Sequence, residues 1–212
     1  MKNLKPLAMA LCAVLLVAGT ILGTLAYLQD SASIVNTFTV GNVHLTLDEA
    51  VVNENGVATG GRTQADNAYH LLPGQTYTKD PTVTVLKGSE QSYVRMILTL
   101  NCASELDAIF APNGAVLTQI FKGHDASKWE YLGVTRGNGN TISYEFRYHD
   151  KVAPGNSADL VLEPLFTSVT VPDTVTGEQL ATIAGLEITL EAHAIQAAGF
   201  ANADEAWAAF SK

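Results

Sequence analysis

Two stretches of this chain, residues 92–100 and 141–149, change side-chain character at every step. In the first, Val94, Met96, Leu98 and Leu100 share one face, and Tyr93, Arg95, Ile97 and Thr99 share the other. In the second, Ile142, Tyr144, Phe146 and Tyr148 alternate with Ser143, Glu145, Arg147 and His149. A period of two puts successive side chains on opposite faces of an extended backbone, and it makes no stripe on a helix of 3.6 residues per turn. Both stretches are therefore strands, each with one face to bury.

The rest of the chain follows the same habit. Val43, Leu45 and Leu47 alternate with His44, Thr46 and Asp48, while residues 82–86 and 186–195 read as strands and 159–162 and 165–171 as shorter ones. Residues 128–135 pair with 141–149 in a hairpin around Gly137-Asn138-Gly139-Asn140. Pro73-Gly74 and Pro154-Gly155 are turn signals, because proline presets the first turn residue and glycine accepts positive φ at the next. The Gly-, Asn- and Asp-rich residues 53–69 are expected to form a long exposed loop.

Helices are few. One is expected from Ser104, acting as cap, through Phe110, and another across residues 176–183. A tail helix over residues 202–210 has Asn202 as cap and Glu205 three residues on, with Ala203, Ala206, Trp207 and Phe210 on one face. Many short strands broken by Pro-Gly and Gly-Asn turns give an all-β sandwich with a few short helices. No repeat and no interior linker divides it, so residues 27–212 read as a single domain.

The N-terminus has a different character. Lys2 and Lys5 precede an uncharged run from Leu7 to Leu28 that Asp30 closes. A basic start, an apolar middle and small residues at the exit describe a secretory signal peptide over residues 1–26. Thr24 and Ala26 occupy the −3 and −1 positions, and cleavage falls before Tyr27. An uncleaved anchor is the alternative, since such a run is long enough to span a bilayer core of about 30 Å. Gly19 and Gly23 would let two such helices pack closely. In either case the rest of the chain is exported, and its contact with the membrane is limited to an uncleaved signal segment.

The chain has 21 acidic and 12 basic residues, and removing the two N-terminal lysines with the signal segment leaves a net charge of −11. Nucleic-acid binding relies on neutralising phosphates with Lys and Arg, so no nucleic-acid partner is expected. Cys12 leaves with the signal segment, and Cys102 alone allows no internal disulfide. Within its apolar run Cys102 reads as a buried, inert thiol. An exported domain without staples depends on its hydrophobic core, and this chain is long enough to build one.

Catalytic patterns are missing. His44, His70, His124, His149 and His193 are scattered, with no HExxH and no pair at helical spacing. His44, His149 and His193 fall on polar strand registers and are expected to face solvent. There is no GxSxG elbow, no phosphate-cradling glycine pattern and no EF-hand spacing. No catalytic residue, metal ligand or cofactor is assigned. A zinc site assembled from distant strands remains an alternative, because zinc ligands need only converge in space.

The signal junction carries a resemblance. Gly23-Thr24-Leu25-Ala26, residues 27–30, Asn36-Thr37-Phe38 and Gly41-Asn42-Val43 resemble the N-termini of the TasA/camelysin family of Gram-positive exported proteins. Leu72-Pro73-Gly74, Lys79-Asp80-Pro81, Tyr93-Val94-Arg95 and the stretch from Ala194 to Trp207 add weaker echoes. The resemblance implies a jelly-roll β-sandwich, processing by a SipW-type signal peptidase, and self-association into extracellular biofilm-matrix fibres. It further implies that the mature N-terminal segment, residues 27–40, acts as a donor strand for a neighbouring subunit. Ile34, Phe38 and Val40 then lie on one strand face, with Asn36 interrupting the apolar set; the alternative is that residues 34–40 form the first strand of their own sandwich, with at most residues 27–33 crossing to a neighbour. The expected function is a secreted structural protein, not an enzyme. The alternatives are an exported camelysin-like metallopeptidase and a monomeric cell-surface adhesin.

Overall fold

The computed structural model describes residues 42–110 and 115–210. Strands come in the order β1 (Leu45–Val52), β2 (Ala58–Thr63), β3 (Thr76–Thr78), β4 (Thr82–Val85) and β5 (Ser92–Leu100). Two helices, α1 (Ala103–Phe110) and α2 (Ala115–Ile120), precede β6 (Phe121–Lys122), β7 (Trp129–Gly137), β8 (Thr141–Tyr148), β9 (Leu160–Val161) and β10 (Ser168–Thr170). Helix α3 (Gly177–Thr182), strand β11 (Ile188–Gln196) and helix α4 (Ala203–Ala209) complete the series.

The strands form three antiparallel sheets in the orders β2-β1-β4-β9, β3-β10-β6 and β11-β5-β8-β7. The third sheet is organised by β5, which pairs with β11 over nine residues and with β8 over six. Its alternation is realised as expected: Val94, Met96 and Leu98 are completely buried, and Leu100 nearly so. Ile142, Tyr144 and Phe146 of β8 lie on the same face, opposite Leu100, Leu98 and Met96. Val83 and Val85 of β4, and Tyr77 and Val169 from the second sheet, join them in one core. Each fully buried apolar side chain contributes roughly 1.5–3 kcal/mol. The result is an all-β, sandwich-like fold.

The short helices are fastened in different ways. Helix α3 carries a reciprocal capping box: Thr176 accepts from the Gln179 amide while the Gln179 side chain accepts from the Thr176 amide. Helix α4 is capped by Asn202, as expected, and lays Trp207 and Phe210 on the outer face of the third sheet beside Tyr93 and Ile195. Helix α1 departs from expectation. Its first turn is capped by Asn140, from the β7–β8 turn, whose Oδ1 accepts from both the Ser104 amide and hydroxyl at 2.8 Å. Ser104 is therefore a recipient of the cap and not its source.

Residues 53–69 are mostly exposed as expected, although Gly56 is buried and Asn67 and Tyr69 half-buried, and they are not all loop, because β2 lies within them. No apolar face holds this strand. Arg62 does so, donating from Nη1 to Asp80 Oδ2 (2.8 Å) and from Nη2 to the carbonyls of Asp80 (3.0 Å) and Asp48 (3.1 Å). Cys102 is half-exposed rather than buried, with φ at +57° at the β5–α1 corner. Partial desolvation still raises its thiol pKa, which keeps the nucleophilic thiolate scarce.

Candidate functional site

Strand β11 uses one edge for β5, and among the described residues its other edge has no strand partner. Strand β1 shows a similar opening. Its first half, Leu45 to Asp48, pairs with β4, while β2 joins the opposite side only from Glu49 onward. On that side Leu45 to Asp48 have no strand partner among the described residues. The two free edges approach one another without a ladder between them. A cleft of about 110 Å³ separates Leu47 of β1 from Ile188 and Leu190 of β11.

The cleft adjoins a cavity of about 810 Å³. Its floor is apolar and buried: Leu100, Leu106, Phe110, Ile120, Val169 and Val171. Its mouth lies among the exposed residues Asp66, His70, Ala181 and Glu187. Protein interiors are close-packed, with few voids larger than a water molecule. This cavity is far larger than such a void and opens to solvent at its mouth.

One polar cluster interrupts the apolar wall. Lys79 and Glu49 line both the cavity and the cleft, so they stand where the two meet. Lys79 is only 7% exposed, and its Nζ donates to Glu49 Oε2 at 2.6 Å. Asn67 Nδ2 donates to Glu49 Oε1 (2.8 Å) and to the Ala50 carbonyl (2.9 Å), fixing the carboxylate from behind. The Tyr69 ring lies 5.6 Å from Lys79 Nζ and edge-on to Tyr77. Burial, reinforced by the Glu49 charge, raises the Tyr69 phenol pKa, so it stays a neutral donor to the Thr78 carbonyl.

Tyr77 staples the segment over the cavity. Its hydroxyl donates to the His70 carbonyl (2.6 Å) and accepts from the Leu72 amide (2.7 Å). Gly56 permits this packing. It sits at φ +70°, and a Cβ there would come within 2.7 Å of Tyr77 Cβ.

The far edge of the third sheet is built differently. Strand β7 exposes Tyr131, Leu132 and Val134, yet its ladder shifts register between Tyr131 and Gly133. Such a bulge twists an edge and hinders addition of another strand. The β11 ladder runs through nine consecutive pairs without a shift. Of the two edges, β11 is the one ready to be extended.

The sequence-derived positions Thr24, Ala26, Tyr27, Ile34, Asn36, Phe38 and Val40 lie outside the described residues. Histidines do not gather at the groove. His44 and His149 are exposed, whereas His193 is half-buried against the Phe210 ring, a correction to its expected solvent-facing position. Among the described residues, no group of three or more His, Cys, Asp or Glu could hold a metal ion. None of their helices is long and apolar enough to cross a membrane. The Lys79–Glu49–Asn67 cluster escaped sequence reading because its members are far apart along the chain. The one local hint is that Tyr77 and Lys79 share a face. Comparison with protein-family models, curated proteins and solved structures finds no match to this chain.

Proposed function

We propose that this protein is a secreted structural subunit that assembles into extracellular matrix fibres by donating residues 27–40 to a neighbour, once a SipW-type signal peptidase has cut before Tyr27. The observation that supports this reading is the cavity of about 810 Å³ with an apolar floor, beside two strand edges that have no strand partner among the described residues. Residues 34–40 extend roughly 23 Å as a strand, and the nine residues of β11 roughly 30 Å, at about 3.3 Å per residue. The segment is thus short enough to pair along β11 for its whole length. Main-chain hydrogen bonds would supply the pairing, while Ile34, Phe38 and Val40 would supply apolar side chains for the groove. Donation of this kind is head-to-tail, so it need not close and can propagate as a filament. The cut acts as the switch, because a segment tethered to a bilayer helix cannot reach a neighbour.

Electron microscopy of purified chains starting at Tyr27 and at Asn42 tests the reading. The longer chain is expected to form filaments. The shorter one, which retains every described residue, is expected to stay monomeric with the same circular dichroism spectrum. Filaments of equal length from both would refute strand donation by this segment.

A further inference from the structure

We propose that the buried Lys79–Glu49 pair sets the register of the incoming strand, and that Asn36 is its counterpart, an inference that rests on the strand-donation reading above. Lys79 is the critical group. A lysine ammonium carries three donors, and among the described residues its Nζ has one hydrogen-bond acceptor, Glu49. Glu49 and the Tyr69 ring use only part of this donor capacity, and Lys79 lines both the cavity and the cleft.

The segment 34–40 offers one polar side chain on the face that carries Ile34, Phe38 and Val40, and that residue is Asn36. Its amide oxygen can accept from Lys79, and its NH2 group can donate to the remaining lone pairs of Glu49. A slip of one residue would turn the whole apolar set outward. A slip of two would place Ile34 or Phe38 over the ion pair and leave Asn36 among the apolar side chains of the cleft. Only one register satisfies both the polar pair and the apolar wall. A single buried polar contact is an established means of fixing register at some cost in stability.

Synthetic peptides of residues 27–40 test the inference as competitors of filament elongation by the intact mature chain. The native peptide is expected to block elongation, and the Asn36→Leu peptide to need about tenfold more, the consequence of leaving one buried polar group unpaired. On a chain carrying Glu49→Leu and Lys79→Met together, the order of the two peptides is expected to reverse. Equal potency of both peptides on the native chain overturns the inference, and that comparison requires no altered protein. Filaments that neither peptide blocks overturn it as well. A mature chain that makes no filaments overturns the strand-donation reading itself, and this inference falls with it.

Discussion

The guanidinium carbon of Arg95 lies 4.4 Å from the centre of the Trp207 ring and 4.9 Å from that of Phe210. Arg95 belongs to the outer face of β5, and α4 covers it so well that it is 8% exposed. Burial lowers its pKa from the ordinary guanidinium value, with the Glu145 charge acting in the opposite direction. The two neighbouring rings therefore stand in for much of the water that the cation has lost. Helix α4 is further tied by an ion pair between Arg147 and Asp204. Trp207→Ala removes the nearer of the two rings and is expected to cost about 3–5 kcal/mol in a urea melt. Because α4 covers the face of the third sheet away from the core, the cavity should still admit the native 27–40 peptide in that variant.

Tyr144 is fully buried, and its hydroxyl has no hydrogen-bond partner among the described residues. Burial pushes its pKa up from 10.0 to about 12. A group whose folded pKa is raised contributes stability that is fully present below the unfolded value and is lost as pH rises through the folded one. Stability is therefore expected to fall between pH 10 and about 12, and Tyr144→Phe should flatten that decline. At neutral pH the same change should alter stability by no more than about 0.5–1.5 kcal/mol, since no hydrogen bond is lost. Chemical denaturation across the alkaline range reads both effects.

Arg62 holds β2 without help from an apolar face. Arg62→Ala should speed amide exchange throughout Ala58–Thr63 while leaving β5 protected. Its side chain is 39% exposed, and surface ion pairs are worth little, so the global change is expected to be about 1 kcal/mol or less. Hydrogen exchange followed by mass spectrometry separates the local effect from the global one. Loss of protection across β5 as well would show that β2 supports the whole sandwich.

Asn140 performs two tasks, one in the left-handed region at φ +61° and the other as the cap of α1. Asn140→Gly keeps the turn and loses the cap. Asn140→Ala loses both. The glycine variant is expected to lose about 1 kcal/mol for the missing cap, and the alanine variant about 1–2 kcal/mol more from left-handed strain. Equal melting temperatures for the two variants would mean that the turn conformation carries no cost.

What the sequence determined by itself was local. Period-two alternation placed Val94, Met96 and Leu98 on the inner face, and the four-residue span from Thr176 to Gln179 wrote the α3 cap. The Asn202 cap was legible for the same reason, since its side chain reaches the Glu205 amide only three residues on. Tertiary structure decided everything that joins distant residues. The cap of α1 comes from 36 residues away, and the Lys79–Glu49 pair spans 30. Strand β2 was missed because its anchor is one arginine rather than a hydrophobic pattern. His193 was misplaced because nothing in β11 records that α4 returns to cover it. The groove was invisible for the deepest reason: an edge without a strand partner among the described residues is a property of how β1 and β11 are arranged, and no residue in either strand encodes it.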